Sequence, residues 1–335
     1  MTLTDINAKL ASEDLSPAEI DEAFTAIMDG HAGHDDIKRF LNLTIPHMSN
    51  PAWIAGGARS LRARMRRVYA PDGAIDVCGT GGDGAHTLNI STAVAFVVAG
   101  CGVPVAKHGN RAMSSKSGAA DVLEALGVKL AGETATLERC LCDAGVAFLF
   151  AQNHHPAMRH VALARRELGK RTIFNLLGPL SNPAGVKRQL VGVFAADYAE
   201  PMARALHALG CEKALVVHGA GGLDELSAAG KDANHVATLE NGAISLQLAT
   251  IAAEVNPDLR GGLAAENAAE MRALLDGAGR PGHRAAVLIN AAAALFVADR
   301  APNVIAAHAM ATESIDSGAA RKALQRLVLT SNATP

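Results

Sequence analysis

Apolar residues recur at helical spacing through the first 68 positions of the chain. Ser16, Pro17 and Glu19 form a capping box with proline at the first helical position, which predicts that a helix begins there. The apolar stripe of this helix consists of Ile20, Phe24, Ile27 and Met28. Gly30 can end the helix, and a second stripe starts at Ile37. Residues 1–70 are therefore predicted to form a small all-α domain.

From residue 74 the pattern changes to short β-branched runs, each followed by a polar or glycine-rich break and then by helical spacing. This alternation is typical of an α/β fold. The clearest predicted strands are the runs 75–77, 103–106, 146–150, 190–194 and 214–217. We therefore expect a large α/β domain over residues 71–335, built on a mostly parallel central sheet.

Polar segments follow four of these predicted strands directly. The segments are 78–83, 107–110, 152–155 and 218–219. The carboxyl ends of parallel strands meet at one edge of a sheet, where such folds place their ligands. The four segments are therefore predicted to form one site.

The first segment has three glycines around Thr80, and Ser91 and Thr92 start the apolar helix that follows. Glycines let backbone N–H groups approach an anion closely, and a helix start adds hydroxyls and the positive end of its dipole. The pattern thus suggests a phosphate-binding loop, although the spacing fits neither the dinucleotide fingerprint nor the nucleotide P-loop. Taken alone, the glycines are explained equally well by a tight turn.

A cationic, hydroxyl-rich loop runs from Lys107 to Gly118 and includes Ser114, Ser115 and Ser117. Lys107 and the loop serines are suited to clamp a polyphosphate, and a loop of this composition can close over it. Without its position at a strand end, the segment would be interpreted as an ordinary solvated loop.

Arg165 falls on the apolar stripe of a helix predicted to begin near Pro156. The stripe consists of Met158, Val161, Ala162, Arg165 and Leu168. A charge on a buried stripe needs an anionic partner, which is either an internal carboxylate or a ligand. The planar guanidinium suits a ligand carboxylate, and a neighbouring site lined by Asn110 and Pro179 favours that alternative.

Asp224 and Glu225 follow a glycine turn after the strand that ends at His218. Adjacent carboxylates at a strand end suit Mg²⁺, which prefers one or two carboxylates together with substrate oxygens and water. An isolated acidic pair is more often surface charge, so this prediction also rests on position.

Composition narrows the possible partners. A formal net charge of −2 gives no general attraction to nucleic acid or to an anionic membrane surface. The five cysteines are scattered and odd in number, which indicates reduced core thiols. Neither a signal peptide nor a membrane-spanning run is visible, so we expect a cytoplasmic protein with no membrane or nucleic-acid partner. The arginines between positions 59 and 67 are interpreted as a solvated helix face.

The chain resembles the anthranilate phosphoribosyltransferase family in five segments that occur in the family's order. These segments are 79–83, 89–92, 107–110, 155–180 and 222–225. The resemblance runs from about residue 74 to the end of the chain. It implies a helical domain completed by helices from about residues 165–188, and a homodimer formed through that domain. It also implies phosphoribosyl pyrophosphate (PRPP) and anthranilate as substrates in tryptophan biosynthesis, with two Mg²⁺ ions per subunit.

The resemblance assigns site residues by motif position. Those implied to hold PRPP are Gly79, Thr80, Gly81, Gly82, Asp83, Thr87, Asn89, Ser91, Thr92, Lys107 and Ser117. Those implied to line the anthranilate path are Gly79, His108, Asn110, His155, Arg165 and Gly178. Ser91, Asp224 and Glu225 would meet the metal. Lys107 and the metal-bound carboxylates would stabilise the leaving pyrophosphate, and no catalytic residue is assigned beyond that.

Three other functions remain as alternatives. Pyrimidine nucleoside phosphorylases share the fold but usually carry a Lys-x-Ser-Gly-Arg pattern where this chain has residues 107–110. A non-catalytic nucleic-acid-binding relative is disfavoured by the net charge of −2 and by the intact pair Asp224 and Glu225. A protein that kept the motifs and lost the activity is left open by the sequence.

Overall fold

The central element of the fold is a seven-stranded sheet, seen in a computed structural model that describes residues 1–112, 116–130, 132–229, 233–249 and 258–333. The strands are β1 (Ile75–Gly79), β2 (Val105–Gly109), β3 (Val146–Phe150), β4 (Arg188–Gly192), β5 (Lys213–His218), β6 (Asn234–Glu240) and β7 (Ala243–Ala249). Their spatial order is β3-β2-β1-β4-β5-β6-β7. The first five in this order are parallel, and β6 and β7 are antiparallel. The predicted α/β fold with a mostly parallel sheet is confirmed.

The strand boundaries differ from the predicted runs in two places. The predicted run 103–106 begins two residues before β2, which starts at Val105 because Pro104 has no N–H to donate to a sheet. The run 190–194 begins two residues late relative to β4, although Val193 N–H still donates to the carbonyl oxygen of Val217 at 2.8 Å.

The β6–β7 hairpin was not predicted. Its turn consists of Asn241 and Gly242, whose φ angles are 51° and 79°. An Asn-Gly pair between two extended runs is a strong hairpin signal, because both residues tolerate the left-handed backbone of a tight turn. The missed signal was therefore present in the sequence.

Fifteen α-helices surround the sheet in the described part of the chain. They are α1 (Leu3–Leu10), α2 (Pro17–Met28), α3 (His34–Leu43), α4 (Pro51–Arg64), α5 (Ile90–Gly100), α6 (Ala119–Ala125), α7 (Thr134–Arg139), α8 (Ala151–His154), α9 (Arg159–Leu168), α10 (Phe174–Leu177), α11 (Ala199–Ala208), α12 (Ala264–Leu275), α13 (Pro281–Val297), α14 (Val304–Asp316) and α15 (Ala319–Asn332). No helix among the described residues is long and apolar enough to cross a bilayer.

Helix α2 begins as predicted, at Pro17. The capping box of α2 is present, with Glu19 accepting a hydrogen bond from Ser16 N–H at 2.9 Å. Behind α2, Trp53 of α4 is 2% exposed and packs against the rings of Phe24 and Phe40, with centroids 6.4 and 5.9 Å away. These rings form the centre of the helical part.

Two hydrophobic clusters lie on opposite faces of the sheet. One joins Val77 and Val217 to α5, α13, α14 and α15. The other joins Val191 and Val216 to α1–α4 and to α9–α11. Since α1–α4 share a core with one face of the sheet, the domain boundary at residue 70 stays a prediction.

The solvated interpretation of the arginines in α4 is wrong for Arg62. Its guanidinium is largely buried and donates to the carbonyl oxygens of Leu180 and Leu209 at 2.5 and 2.9 Å. Burial lowers the pKa of Arg62. The interpretation of all five cysteines as core thiols is also wrong in one case, because Cys142 is exposed.

Candidate active site

The polar segments after β1, β2, β3 and β5 lie at one edge of the sheet, as predicted, because these strands run in the same direction. The segment after β3 forms the single-turn helix α8, which ends just before His155. The carboxyl end of β4 lies between those of β1 and β5 and takes part in the same edge.

Asp224 packs against two glycines at the ends of neighbouring strands. Gly79 and Gly192 are paired across β1 and β4. A Cβ atom at Gly79 would lie 2.4 Å from Asp224 Oδ2, and one at Gly192 would lie 1.5 Å from the carbonyl oxygen of Asp224. Because any side chain at either position would displace Asp224, both glycines are needed to bring this carboxylate to the sheet edge.

The glycine loop itself is open on one side. Gly81 and Gly82 have φ angles of 65° and 74°, and a Cβ at either would meet no atom within 4 Å. Gly81 N–H donates to Asp224 Oδ2 at 2.7 Å. Successive backbone N–H groups in a turn can face a common concavity, which is a favourable arrangement for an anion.

Three carboxylates meet beside this loop, and all three are half-buried. Asp83 Oδ2 accepts a hydrogen bond from Asp224 N–H at 3.4 Å, and Glu225 Oε1 accepts one from Ser91 N–H at 3.0 Å. Burial and the neighbouring charge of Asp83 raise the pKa of Asp224. Burial and the charge of Asp224 likewise raise the pKa of Glu225.

This acidic cluster fits a cation that takes only part of its ligands from protein. Among the described residues, no group of three or more His, Cys, Asp or Glu side chains has the geometry to hold a metal. Mg²⁺ usually takes one or two carboxylates and fills its octahedron with substrate phosphate oxygens and water. The mutual repulsion of Asp224 and Glu225, which raises the pKa of Glu225, is what a bound cation would relieve.

Lys107 is directed beneath the loop. Its side chain is 3% exposed, and Nζ donates to the carbonyl oxygen of Val77 at 2.6 Å and to Ser91 Oγ at 3.1 Å. Lys107 therefore holds the hydroxyl of Ser91, at the start of α5, next to Glu225. Its effect on a bound anion would be exerted from below, through its charge and through Ser91.

A fully buried carboxylate, Asp76, supports the end of β2. Asp76 accepts hydrogen bonds from His108 N–H at 3.1 Å and from Asn182 Nδ2 at 2.7 Å. Asn182 Nδ2 also donates to the carbonyl oxygen of Ala106 at 2.8 Å. Burial raises the pKa of Asp76, and the positive charge of Lys107 opposes that rise. Asp76 and Asn182 thus fix the polar segment 107–110 to the sheet.

His108 and His155 face each other across 3.2 Å between their Nε2 atoms. His108 Nδ1 lies 3.0 Å from the carbonyl oxygen of Gly178, which only accepts, so Nδ1 is assigned the proton. His108 Nε2 is then the acceptor, and His155 Nε2–H is the donor. Burial, together with the neighbouring histidines, lowers the pKa of His108 to about 3 and that of His155 to about 4. Both rings are therefore neutral at physiological pH.

Arg165 lies on the inner side of α9, but the predicted stripe needs one correction. Val161 and Ala164 are the buried positions and Ala162 is exposed, so the stripe turns toward Ala164. The Arg165 guanidinium lies 5.8 Å from the ring centroid of Phe174 and forms no ion pair within the described part of the chain. Burial lowers its pKa. The internal salt bridge, one of the two alternatives for this arginine, is thus not found there.

Asn89 connects the start of α5 to the cationic loop. Asn267 Oδ1 accepts from Gly262 N–H at 2.7 Å, so its Nδ2 is the atom that donates to Asn89 Oδ1 at 2.9 Å. Asn89 Nδ2 consequently faces the carbonyl oxygen of Ser117 at 3.4 Å. Thr87 forms a β-bridge with Arg260 just before α5. Residues 113–115 of the predicted loop, which include Ser114 and Ser115, lie outside the described residues.

The other predicted residues have local roles in this structure. Thr80 N–H donates to the carbonyl oxygen of Gly192, and Thr92 is buried at 1% exposure in α5. Asn110 Oδ1 accepts from Arg111 N–H at 2.9 Å. The structure thus joins the glycine loop, Ser91, Lys107 and the carboxylates in one network, while the described contacts of Asn110 and Arg165 lie outside it.

Three supporting residues were not predicted from the sequence: Asp76, Asn182 and Asn267. Asp76 had a visible signal, since it is a lone acid between Ile75 and Val77 in an apolar strand. Asn267 had none, because its partners Asn89 and Gly262 are brought together only by the fold.

Comparison with known proteins agrees with this architecture. The model of the glycosyl transferase family a/b domain matches residues 72–321. The anthranilate phosphoribosyltransferase of Rhodospirillum rubrum is 49% identical over 336 residues, covering 98% of this chain and 96% of that protein. The crystal structure of the enzyme of that name from Thermus thermophilus superposes with a TM-score of 0.91 at 38% identity, covering 99% of this chain and 100% of that one.

The Saccharomyces cerevisiae anthranilate phosphoribosyltransferase, solved in complex with PRPP and Mg, gives a TM-score of 0.88 at 26% identity. That comparison covers 99% of this chain and 98% of the yeast chain. A second structure of the yeast enzyme contains 4-fluoroanthranilate and gives a TM-score of 0.87 at 25% identity, covering 99% of this chain and 98% of that one. Together with the family model, these similarities show that the chain belongs to the anthranilate phosphoribosyltransferases, within the α/β glycosyl transferase family.

Proposed function

We propose that the protein transfers the 5-phosphoribosyl group of PRPP to the amine of anthranilate, giving N-(5-phosphoribosyl)anthranilate and pyrophosphate in tryptophan biosynthesis. One observation carries the proposal: a glycine loop open on one side lies at the same sheet edge as an acidic cluster that forms no salt bridge among the described residues. An anion would bind to the glycine loop and a cation to the acidic cluster, so a ligand that brings both would occupy the whole site. The family relationship supplies the identity of that pair, PRPP with Mg²⁺.

PRPP is held first through backbone and hydroxyl groups. In the Gly79–Asp83 loop, Thr80 N–H and Gly81 N–H already donate to Gly192 and to Asp224, so the N–H groups of Gly82 and Asp83 would be its donors to PRPP. The side chains of Thr87 and Asn89 and the hydroxyls of Ser91, Thr92 and Ser117 would contact further phosphate and ribose oxygens. Such donors are fixed before the substrate arrives, so they need not reorganise during the reaction. Binding of PRPP also aligns the ribose C1 with the amine, which lowers the entropic part of the barrier.

The difficult step is departure of pyrophosphate as the ribose becomes oxocarbenium-like. Ser91, Asp224 and Glu225 would hold Mg²⁺, two ions per subunit, with PRPP oxygens and water as the other ligands. Bound Mg²⁺ would neutralise charge on the leaving oxygens. Lys107 adds a fixed positive charge beneath Ser91, because its Nζ donates a hydrogen bond to Ser91 Oγ at 3.1 Å.

Anthranilate would bind on the other side of the ribose, along Gly79, His108, Asn110, His155, Arg165 and Gly178. Arg165 would pair with its carboxylate, because the guanidinium has no ion-pair partner among the described residues. The amine is a neutral aromatic amine at pH 7 and needs no base before it attacks. The neutral histidine pair leaves the path uncharged where the aromatic ring would pass.

We further propose a cytoplasmic homodimer that associates through the helical domain, residues 1–70 completed by helices from about 165–188. Light scattering of the purified protein distinguishes a dimer from a monomer directly. A monomer at assay concentrations would overturn the proposed assembly and leave the proposed reaction intact.

The loss of anthranilate fluorescence tests the reaction. Purified protein is mixed with PRPP, Mg²⁺ and anthranilate, and each component is omitted in turn. Loss of fluorescence that requires every component is the expected result. Constant fluorescence in the complete mixture, with folded protein, would overturn the proposal, and phosphorolysis of pyrimidine nucleosides would then be measured.

A further inference from the structure

Arg171 links the segment that carries Arg165 to the glycine loop. It is exposed and lies three residues after the end of α9. One face of its guanidinium lies 4.2 Å from the ring centroid of Phe194, and Nη2 donates to the carbonyl oxygen of Gly82. Arg171 forms no ion pair with any carboxylate in the described part of the chain. The guanidinium of Arg171 is thus held by the Phe194 ring and by the backbone carbonyl oxygen of Gly82.

The bond to Gly82 determines how the next peptide group is oriented. No cis peptide bond occurs among the described residues, and in a trans peptide the C=O and N–H groups point in opposite directions. Since the Gly82 carbonyl faces Arg171, the Asp83 N–H points away from Arg171. Gly82 has a φ of 74°, so without a restraint its peptide could rotate readily.

Phe194 is itself tied to the same loop. Its N–H donates to Thr80 Oγ1 at 3.0 Å, and Thr80 N–H donates to the carbonyl oxygen of Gly192 at 2.9 Å. The loop is therefore fixed to the end of β4 at Thr80 and to Arg171 at Gly82. Arg171 closes this arrangement because it contacts both Phe194 and Gly82.

We infer that Arg171 is a positioning residue that keeps the Gly79–Asp83 loop in its anion-binding conformation through Gly82 and Phe194. The inference rests on the proposed function and adds to it. The polypeptide segment that brings Arg165 to one substrate also shapes the binding loop of the other. Arg171 acts through the loop and is not assigned a contact with either substrate.

Titration calorimetry with PRPP and Mg²⁺ tests the inference on four proteins: wild type, Arg171→Ala, Arg171→Lys and Lys170→Ala. Loss of a charged hydrogen bond predicts PRPP binding about tenfold weaker in Arg171→Ala. Arg171→Lys should recover part of the loss, since an ammonium can reach a carbonyl but cannot stack as a planar fork. Lys170→Ala changes an adjacent exposed residue and should bind like wild type.

Two further readouts separate positioning from general structural damage. The KM for anthranilate should stay within about twofold in Arg171→Ala, because the loss falls on the PRPP loop. Phe194→Leu should weaken PRPP binding less than Arg171→Ala and should add little in the Arg171→Ala background, since the two residues act as one unit.

The outcomes are distinguishable. Unchanged PRPP affinity in Arg171→Ala, or equal weakening for both substrates with a lower melting temperature, overturns the inference while the proposed function stands. Wild-type protein that binds no PRPP overturns the proposed function and this inference together. Selective weakening with partial recovery by lysine supports it.

Discussion

Below the strand ends, buried charged and polar groups are hydrogen-bonded to one another and to the backbone. At the rim above them the charged groups form hydrogen bonds or ring contacts but no salt bridge among the described residues. We call the first set the base; it consists of Asp76, Lys107, His108, His155 and Asn182, all buried. We call the second set the rim; it consists of Asp83, Asp224, Glu225, Arg165 and Arg171, all half-buried or exposed. Groups of the protein itself stabilise the charges of the base, whereas the charges of the rim are left to be stabilised by ligands.

The largest effect is expected from Asp224→Asn, which removes a rim charge. Because this carboxylate would hold the metal that neutralises the leaving group, kcat/KM should fall by about two to three orders of magnitude. Steady-state kinetics at saturating Mg²⁺ measures it. Glu212→Gln, which removes an exposed acid paired with Lys187, serves as the control and should keep full activity. Equal activity of Asp224→Asn and wild type would remove Asp224 from the metal site.

A change in the base should instead reduce stability. Asp76→Asn replaces a buried acceptor of two hydrogen bonds and leaves the buried charge of Lys107 without its negative neighbour. The free energy of unfolding should fall by about 3 kcal/mol, as measured by urea denaturation. An unchanged denaturation midpoint would mean that the negative charge of Asp76 does not stabilise the fold. The stated difference between base and rim would then be wrong for Asp76.

Arg165→Ala tests the rim on the anthranilate side. Loss of a charged contact with the substrate carboxylate should weaken anthranilate binding by about tenfold, with much less effect on PRPP. Separate KM values for the two substrates measure this. Arg166→Ala, an exposed neighbour in α9, is the matched control. Equal weakening for both substrates would show that Arg165 has a different role.

The smallest effect concerns stability of the ligand-free protein. The pKa of Asp224 is raised in the folded state by burial and by Asp83, so the folded state binds more protons than the unfolded one above about pH 4. Stability from this group therefore falls as pH rises toward neutral. Asp224→Asn should remove that loss and raise the free energy of unfolding by up to about 1 kcal/mol at neutral pH.

His108 and His155, which belong to the set called the base, change stability with pH in the opposite direction from Asp224. Burial lowers the pKa of His108 and His155 to about 3 and about 4, whereas unfolded histidine titrates near 6.5. Their stabilising effect is lost as pH falls below about 6.5. Melting curves of wild type and Asp224→Asn between about pH 6.5 and 8 avoid this contribution, and the variant should show the flatter dependence. Parallel curves would argue against a strained acidic cluster.

The sequence was sufficient to predict the parallel strands, the common edge and the glycine loop, because each depends on local spacing. The direction of Lys107 could not be predicted, since a lysine at a strand end can reach up to a ligand or down beneath a neighbouring strand. Spacing likewise gave no sign that Arg62 reaches Leu180 and Leu209, far away in the chain. Such contacts depend on how helices pack on the sheet, which periodicity does not specify.

The strand errors have a similar origin. Hydrophobic runs show where a strand can pass through a core, but its ends are set by hydrogen bonding, as Pro104 illustrates at β2. Arg171 had no recognisable pattern, because stacking on Phe194 and a bond to Gly82 join three distant parts of the chain. The residues that shape a binding loop from outside were the part of the site least accessible from sequence.

Trp53 is the only tryptophan of the chain, and it is enclosed by the aromatic rings of the helical part. Emission excited selectively in the indole therefore reports on that part alone, while far-ultraviolet dichroism reports on the backbone of the whole chain. Coincident transitions would show that the helical part and the sheet melt as one cooperative unit. A separate, earlier loss of indole signal would show that the helices detach first. Because Trp53 is a natural residue of the chain, no label has to be introduced for this experiment.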